Sequence, residues 1–461
     1  MSNSDLSAFF EPKSIAVIGS FREGFFGGYV VIRSLIRGGY KGQIYPVNPN
    51  YQEVFGIRVY PSLSQVPEGV DLVLVMINSR SVPQVIRECA NKAVKAVVIV
   101  ADGFAERDEQ GAKLQKEIVE IATGAGIRLI GPNTAGIVNT YADFYPCPYE
   151  SGYDRIKRGS IALVSQSGMT NPQAFPYYDY RCGISKICDL GNKCDVDECE
   201  LMEYLAQDRD TKVIAMYLET VNDGRRFLEV SKKIARTKPL LIVKSGRTKQ
   251  GAKASESHTG SLAVNDKIFD ALCRQAGIIR LDTFVELFEI PKIFATQPLP
   301  KGNKLGILTI TGGLAVMAID YGDRYGLKLS ELSSSTASLL NSIFSGTGHM
   351  PVDIGPVMAA VKDAFSLYPE IMYRIMADPN VDALLHILWA NPKGDIIPNY
   401  LKAYEAIKEK HQKPIATWIY GPDRTAIKEL GVQLEDMGFP VFRDVETAVK
   451  ALGLAFQFYT F

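Results

Sequence analysis

SIAVIG, at residues 14–19, is a short apolar run rich in β-branched side chains, and a glycine-containing turn follows it directly. Four comparable runs lie downstream, and amphipathic stretches such as VPQVIRECANKA (82–93) separate them. The four runs are GQIYPVN (42–48), DLVLVMI (71–77), KAVVIVA (95–101) and IRLIG (127–131). Near-continuous apolar strands separated by helices indicate a parallel sheet that is buried on both faces. The sequence therefore predicts a doubly wound, Rossmann-like α/β domain.

The same alternation of strands and helices starts again twice along the chain. A polar, turn-rich stretch at 148–159 introduces the second set of apolar runs, and QPLPKGNK (297–304) introduces the third. The second set lies at 160–165, 185–190, 212–219 and 239–245, and the third at 305–310, 383–389 and 414–420. The predicted fold class is thus α/β, with three domains in series. Their predicted bounds are 1–150, 151–298 and 299–461.

Composition excludes several classes of function. The 461 residues carry 51 basic and 51 acidic side chains, so no charge excess points to nucleic acid or an anionic membrane. No apolar run reaches the roughly 18 residues that a membrane span needs, and the N-terminus has no signal-peptide pattern. Seven cysteines without a C-x-x-C pair predict reduced thiols, a cytoplasmic location and no metal site.

The turn after the first run is a candidate phosphate site. Gly19-Ser20-Phe21-Arg22-Glu23-Gly24 leads through Gly27-Gly28 into a predicted helix, whose first N–H groups and positive dipole end suit an anion. The strict G-x-G-x-x-G spacing is absent, because Phe21 stands where the second glycine would be. A plain strand–helix turn is the alternative interpretation.

The end of the second run separates two kinds of nucleotide. An NAD site would carry Asp or Glu there to hold the ribose hydroxyls, but this strand ends Pro46-Val47-Asn48-Pro49. Coenzyme A, whose ribose is phosphorylated, fits an uncharged Asn48 better, and an NAD-dependent oxidoreductase is disfavoured. The strand ends Ile77-Asn78 and Ala101-Asp102 are expected to form the rest of the crevice.

Among the four histidines, His258 has the most reactive setting. It lies in ASESHTGSLA (254–263), a run of small and hydroxylic residues that is predicted to be a loop, whereas His386 lies inside an apolar strand and is expected to be a core residue. Imidazole is a competent nucleophile near neutral pH, and small neighbours let a phosphoryl group approach it. An ordinary surface loop remains the alternative at this stage.

Two further elements favour phosphoryl chemistry at His258. The turn Ser165-Gln166-Ser167-Gly168 follows a strand and is predicted to lead into a helix near Met169, whose N-terminus would stabilise phosphate. Glu219 ends the run KVIAMYLE, and a carboxylate at the carboxyl end of a strand faces the ligand crevice in this architecture. Glu219 could therefore hold one imidazole nitrogen and leave the other free to attack.

These motifs together resemble the α-subunits of the ADP-forming acyl-CoA synthetases, which are relatives of succinyl-CoA synthetase. The resemblance spans essentially the whole chain. Its specific parts are PKSIAVIGS (12–20), YPVNP (45–49), IGPNTAGI (130–137), ALVSQSG (162–168), LGNKCDVDE (190–198), KSGRT (244–248) and SESHTGSLA (255–263). It implies a coenzyme A-binding domain followed by two flavodoxin-like ligase domains. The chain departs from the family pattern at Met169–Pro172, at Val264 and in the turn 309–314.

The resemblance also implies a reaction and site residues. Acyl-CoA and phosphate give an acyl phosphate, whose phosphoryl group passes to His258, supported by Glu219, and then to ADP; the reverse sequence activates a small carboxylic acid. The implied phosphate loop is Ser165, Gln166, Ser167 and Gly168. The coenzyme A crevice that the resemblance implies includes Gly19, Ser20 and Asn48. The glycine turn and the strand ends add Phe21, Arg22, Ile77, Asn78, Ala101 and Asp102 to the predicted cofactor-binding residues. The implied acyl and thiol end is Gly131, Pro132 and Asn133.

The family also requires an ATP-grasp module, for which the three predicted domains leave no stretch. The resemblance therefore implies a β-subunit that binds ATP or ADP with magnesium, in an α₂β₂ assembly. A catalytically silent sensor of coenzyme A or acyl-CoA is the alternative function. The chain retains His258, Glu219 and the turn Ser165-Gln166-Ser167-Gly168, called the serine turn below. Their retention argues against this alternative, because a sensor needs none of them.

Overall fold

The computed structural model describes residues 5–461 apart from 68, 150–155, 172–174, 176, 260–264, 362, 393–395, 409 and 411; the side chains of 178 and 256–259 also lie outside the description. Contacts divide the chain into two compact units, residues 1–287 and Phe288–Phe461. Within the described part of the chain, no helix is both long and apolar enough to cross a bilayer.

The first sheet confirms the doubly wound prediction. Its five strands are parallel and lie in the order β2-β1-β5-β6-β7, and a separate hairpin, β3-β4, follows β2. The strands are β1 (Ser14–Gly19), β2 (Gln43–Val47), β3 (Glu53–Val54), β4 (Ile57–Arg58), β5 (Leu72–Met76), β6 (Ala96–Ile99) and β7 (Arg128–Ile130). The helices are α1 (Ser7–Phe10), α2 (Gly28–Gly38), α3 (Val82–Asn91) and α4 (Glu109–Ala125). The strand order reverses between β1 and β5, where such sheets open a ligand crevice.

The second sheet has the order β13-β12-β11-β9-β10-β8, and only β8 is antiparallel to its neighbour. Its strands are β8 (Ile137–Asn139), β9 (Arg158–Ser165), β10 (Ile184–Asp189), β11 (Val213–Leu218), β12 (Leu240–Lys244) and β13 (Ile279–Leu281). The helices are α5 (Glu198–Gln207), α6 (Gly224–Ile234), α7 (Lys249–Thr259) and α8 (Asp266–Ala276). α9 (Glu286–Glu289) lies at the boundary between the two units, and α10 (Pro291–Thr296) belongs to the second unit. Every residue of β10 and β11 is buried, as expected for central parallel strands.

The first two sheets are linked within one unit. Although β8 precedes residue 150, it pairs with β10 in the second sheet. Arg128, which begins β7, donates to Asp195 at 2.9 Å and to Glu200 at 2.8 Å. These links bring the carboxyl ends of β5, β6 and β7 beside the loops that follow β9 and β10.

The second unit contains a third, fully parallel sheet with the order β15-β14-β17-β18-β19, and β16 pairs with β14. Its strands are β14 (Lys304–Thr309), β15 (Lys328–Leu329), β16 (Val352–Asp353), β17 (Ala383–Trp389), β18 (Ile415–Tyr420) and β19 (Val441–Phe442). The helices are α11 (Gly312–Arg324), α12 (Ser334–Ile343), α13 (Gly355–Ala360), α14 (Tyr368–Ala377), α15 (Ile396–Lys408), α16 (Arg424–Asp436) and α17 (Val445–Thr460). His386 lies buried in β17, where its two ring nitrogens contact the hydroxyls of Tyr368 and Tyr404. The core interpretation of His386 is confirmed.

Candidate active site

The glycine turn after β1 brings a helix start against the end of a strand. A Cβ on Gly28, the first residue of α2, would lie 2.9 Å from the Phe21 ring and 3.0 Å from the Ser20 carbonyl oxygen. Only glycine therefore allows this approach without displacing its neighbours. The Phe21 side chain is 4% exposed and packs edge-on against Tyr51, so it contributes to the core. Ser20 and Arg22 are exposed at the mouth of the turn.

Asn48, which follows the neighbouring strand β2, forms a hydrogen bond with the glycine turn. Its Nδ2 donates to the Gly19 carbonyl oxygen at 2.8 Å, and its Oδ1 accepts from the backbone N–H of Asn50 at 2.8 Å. Both halves of the amide are thus engaged within the protein. The structure indicates that Asn48 fixes the glycine turn, a different task from the ribose contact of an acidic residue.

A cavity of about 510 Å³ opens at the carboxyl ends of β5 and β6. It brings together predicted residues from three separate motifs of the sequence. The predicted residues in its wall are Ile77, Asn78, Ala101, Asp102, Asn133 and Gly168. The other residues that line it are Phe26, Met76, Ser79, Val100, Arg107, Thr134, Ala135, Tyr149 and Asp189. The cavity therefore contains residues from the predicted coenzyme A crevice, the acyl and thiol end, and the phosphate loop. The other predicted site residues of these three groups do not line it, namely Gly19, Ser20, Phe21, Arg22, Asn48, Gly131, Pro132, Ser165, Gln166 and Ser167.

The loop Gly131–Gly136 contributes Asn133, Thr134 and Ala135 to that wall. Gly131, Asn133 and Gly136 have positive φ angles of 96°, 60° and 95°, and the Gly131–Pro132 peptide bond is cis. A Cβ on Gly131 would lie 2.6 Å from the Ile99 carbonyl oxygen, so the loop passes directly over the end of β6. The Asn133 N–H donates to the Ala101 carbonyl oxygen at 2.9 Å. The loop is thereby held at the end of the crevice.

Asp189, the last residue of β10, meets this loop from the second sheet. Its Oδ2 accepts from the Ala135 N–H at 2.5 Å and its Oδ1 from the Gly191 N–H at 3.2 Å. The side chain is buried, and burial raises the pKa of the Asp189 carboxyl to about 6; the nearby Glu219 carboxylate acts in the same direction. The cavity wall therefore contains a carboxyl group that titrates closer to neutrality than an ordinary aspartate.

The serine turn departs from its prediction in one respect. The Ser167 N–H donates to the Ser165 hydroxyl at 3.0 Å, and Gly168–Thr170 form a single 3₁₀ turn. The expectation of a helix that begins near Met169 is wrong for the residues described there. Asn171, which precedes Pro172 in the sequence, has an extended backbone, with φ −72° and ψ 159°. A proline disfavours helical backbone in the residue before it, which accounts for the early end of the turn.

Gln166 and Glu219 are joined across two neighbouring strands. The Gln166 Oε1 accepts from the backbone N–H groups of Glu219 at 2.9 Å and Thr220 at 3.0 Å, and its Nε2 donates to the Thr220 hydroxyl at 2.7 Å. The Glu219 side chain is 5% exposed, and its Oε1 accepts from the Tyr217 hydroxyl at 3.2 Å. The loop that carries Glu219 is thus fixed by the serine turn.

A buried ion pair holds the same loop from its other side. The Lys193 ammonium donates to Glu198 at 2.8 Å and to the Thr220 carbonyl oxygen at 2.8 Å, and both charged side chains are at most 1% exposed. The other Glu198 oxygen accepts from the Asn222 N–H at 3.1 Å. Both residues lie in the motif LGNKCDVDE, which does not indicate this contact because the partner loop lies more than twenty residues away.

His258 lies in the last turn of α7, and its side chain lies outside the described residues. The loop predicted around it is wrong for the backbone up to Thr259, because the run Ala252–Thr259 contains neither glycine nor proline and continues the helix. α7 follows β12, the neighbour of β11, and Glu219 follows β11. The pairing of His258 with Glu219 therefore stays a prediction. In the described part of the chain, no group of three His, Cys, Asp or Glu side chains could hold a metal ion.

Comparison with known proteins gives two family matches, a CoA binding domain over residues 13–140 and a succinyl-CoA ligase like flavodoxin domain over residues 158–294. The chain is 38% identical to the acetate–CoA ligase (ADP-forming) II subunit alpha of Pyrococcus furiosus, with 97% of each chain covered. It is 37% identical to the acetate–CoA ligase (ADP-forming) II of Archaeoglobus fulgidus, where 97% of this chain spans 66% of that protein, just under two thirds of its length.

A solved structure is similar over the whole chain. It is the dinucleotide forming acetyl-coenzyme A synthetase 1 of Candidatus Korarchaeum cryptofilum in complex with phosphate and ADP. The TM-score is 0.89 and the sequence identity 29%, with 100% of this chain and 97% of that chain covered. The similarity therefore extends across all three sheets.

Proposed function

The chain belongs to the family of ADP-forming acyl-CoA synthetase α-subunits, and from this premise we propose that it performs the acyl-transfer and phosphohistidine half of the reaction. The overall reaction joins a carboxylic acid to coenzyme A at the expense of ATP, giving acyl-CoA, ADP and phosphate, and it runs in both directions. A small acid of the acetate type is the proposed substrate, since the Pyrococcus relative is named for acetate.

The observation that carries the proposal is the cavity shared by three motifs. Asn78 and Asp102 follow strands of the CoA binding domain, Asn133 lies on the connecting loop, and Gly168 belongs to the serine turn. A pantetheine arm that enters along the first sheet would end beside the serine turn, the phosphate loop that the family resemblance implies. The thioester carbonyl and inorganic phosphate can then react within one site, which lowers the entropic cost of their encounter.

Each proposed step conserves its atoms. A phosphate oxygen attacks the thioester carbonyl carbon, the C–S bond breaks, and the sulfur takes up a proton to leave as the free thiol of coenzyme A. The ring nitrogen of His258 then attacks phosphorus, and the carboxylate leaves as the P–O bond breaks. Finally the terminal oxygen of ADP attacks the same phosphorus and the N–P bond breaks, which yields ATP and returns His258 to its free imidazole form. Glu219 accepts a hydrogen bond from the second ring nitrogen and stabilises the imidazolium-like charge that develops.

The nucleotide half is proposed to lie on a second polypeptide. The Pyrococcus relative is named as an alpha subunit, and this chain covers 97% of it. We therefore expect an ATP-grasp β-subunit that binds ADP or ATP with magnesium, in an α₂β₂ assembly. In that arrangement His258 would carry the phosphoryl group from the acyl phosphate site to the nucleotide.

Reconstitution tests this proposal. The purified chain, mixed with an ATP-grasp subunit from the same genome, should form ATP from acetyl-CoA, phosphate and ADP, and neither chain alone should do so. The matched control is an assay without phosphate, because an enzyme that only hydrolyses acetyl-CoA would not need phosphate. Activity of this chain by itself, or turnover that does not depend on phosphate, would refute the proposed division of labour.

A further inference from the structure

Asp189 connects the two halves of the cavity wall. Its carboxylate accepts from the Ala135 N–H, its carbonyl oxygen accepts from the Thr134 hydroxyl, and its own N–H donates to the Gly136 carbonyl oxygen at 3.0 Å. In the second sheet Asp189 is aligned with Ser165, which begins the serine turn. One residue thus touches three successive residues of the loop Gly131–Gly136 and stands next to the phosphate loop.

The choice of aspartate at this position is energetically unfavourable for the fold alone. The residue is 2% exposed, and burial disfavours the charged form of its side chain. A neutral acceptor would place less charge in the interior, beside the buried Glu219. A charged acceptor, however, binds backbone N–H groups more strongly than a neutral one. The buried carboxylate therefore holds the loop more strongly than a neutral acceptor would, although its burial costs more free energy.

We infer that Asp189 is a positioning residue, which holds the loop Gly131–Gly136 so that a thioester carbonyl meets phosphate at the serine turn. The inference rests on the proposed function, since it assigns the reacting groups to the cavity. Asp189 acts through the backbone of Thr134 and Ala135, and we assign it no contact with substrate. No motif in the sequence marked this residue.

Asp195 supplies a matched control. It also joins the first sheet to the segment after β10, because its Oδ2 accepts from the Leu129 N–H at 2.7 Å and from Arg128 at 2.9 Å. It does not belong to the wall of the cavity. Loss of the Asp195 carboxylate should therefore weaken a link between the same two sheets without moving the loop at the reacting groups.

The test compares Asp189→Asn with Asp195→Asn in the assembled enzyme, using acetyl-CoA, phosphate and ADP. Asparagine keeps the shape of Asp189 but turns one acceptor into a donor that faces a backbone N–H. Misplacement of a reacting group by about 1 Å can cost about 10²-fold in rate, so we expect kcat to fall by about that factor in Asp189→Asn. The KM for ADP should stay unchanged, and Asp195→Asn should keep the wild-type kcat. Equal kcat values in the two variants would overturn the inference.

The pH profile separates positioning from a merely structural role. Protonation of Asp189 leaves one of its two N–H partners without a good acceptor, so the ratio of wild-type to Asp189→Asn activity should fall as pH drops below about 6. Phosphate and the groups that ionise in both enzymes affect both activities alike, so their ionisation cancels in the ratio. The titratable groups around Asp189 and in the cavity wall are Glu219, Tyr149, Cys188, Asp102 and Arg107. A ratio that is flat between about pH 5 and about pH 8 would contradict the inference.

Thr134→Val provides a second variant in case Asp189→Asn does not fold. It removes the hydroxyl that donates to the Asp189 carbonyl oxygen and leaves every charge in place. We expect a loss of kcat in the same direction, and a wild-type kcat would overturn the inference. Absence of turnover in the wild-type assembly would instead refute the proposed function on which the inference rests.

Discussion

At the scale of single residues, the role proposed for Glu219 depends on how firmly the structure holds it. Its backbone N–H donates to Gln166 and its side chain accepts from Tyr217, so the carboxylate has little freedom to turn. A carboxylate fixed in this way can set the orientation of an imidazole before phosphoryl transfer, as in other histidine–carboxylate pairs. Its contribution should therefore appear in the rate of transfer more than in binding.

Glu219→Gln should slow phosphorylation of His258 by about 10²-fold to about 10⁴-fold, the range typical of orienting and acid–base groups. The amide keeps the size of the side chain but cannot stabilise an imidazolium as a carboxylate does. Single-turnover labelling in the assembled enzyme measures the rate, and Glu229→Gln on the exposed face of α6 is the matched control. A wild-type rate in Glu219→Gln would remove Glu219 from the mechanism.

His386 makes the stability of the second unit depend on pH. Burial lowers the pKa of its imidazole to about 3, against about 6.5 in an unfolded chain. Between these values the unfolded state binds a proton that the folded state does not, so stability falls as pH drops below about 6.5. The expected loss from this residue is about 1.4 kcal/mol per pH unit.

Urea denaturation between about pH 5 and about pH 8 measures this slope. His386→Phe should be less stable throughout, because it leaves the Tyr368 and Tyr404 hydroxyls without their nitrogen partners, and it should lose the slope that His386 contributes. His349→Ala, which alters an exposed histidine of the same unit, should keep the wild-type slope. If the dependence of stability on pH were unchanged in His386→Phe, a group other than His386 would be responsible for it.

Sequence reasoning at this scale found residues whose neighbours in the chain explain them. Asn48 stood out because a strand end lacked the expected acid, and His386 because it lay inside an apolar run. Asp189 escaped notice because its partner Ala135 lies 54 positions earlier, and a lone aspartate at a strand end carries no pattern. Long-range partners of this kind become visible only in the folded chain.

At the scale of elements, the long central strands were predicted correctly and most of the short ones were missed. β1, β10 and β11 are buried along their whole length and therefore leave continuous apolar runs in the sequence. β8 and β13 have three residues each and were missed, whereas β7 has the same length but was predicted within IRLIG (127–131). The two errors near the site were the helix expected after Gly168 and the loop expected at His258, where local backbone preferences were misjudged.

One added methyl group should destabilise the junction of β1 and α2. Gly28→Ala would set its Cβ 2.9 Å from the Phe21 ring and 3.0 Å from the Ser20 carbonyl oxygen, so strand and helix must separate. Overpacking of this kind costs about 1–3 kcal/mol, and we expect weaker binding of coenzyme A. Gly24→Ala is the control, because a Cβ there has no neighbour within 4 Å.

Calorimetry with coenzyme A and with NAD measures the consequence. The wild type and Gly24→Ala should bind coenzyme A alike and NAD weakly or not at all, since no acidic residue ends β2. Gly28→Ala should bind coenzyme A more weakly. Tight binding of NAD, or equal affinity of both glycine variants for coenzyme A, would contradict this description of the crevice.

At the scale of the whole molecule, the first unit contains two sheets with different proposed tasks. One sheet lies in the region that matches a CoA binding domain, and the other carries the serine turn, Glu219 and the helix with His258. The overall α/β class could be predicted, because it depends on strand periodicity, whereas the tasks assigned to motifs at strand ends stay predictions. The manner in which β8 and Asp189 join the two sheets could not, because it depends on pairing between distant segments.

The most direct test follows a labelled phosphate through the assembled enzyme. With acetyl-CoA and radioactive phosphate but no ADP, the wild-type chain with its ATP-grasp subunit should acquire an acid-labile, base-stable label. The exposed-histidine variant His349→Ala should acquire the same label, and later addition of ADP should transfer it to ATP. His258→Ala should acquire none. A label that persists in His258→Ala, or one that ADP cannot remove from the wild type, would contradict transfer through this histidine.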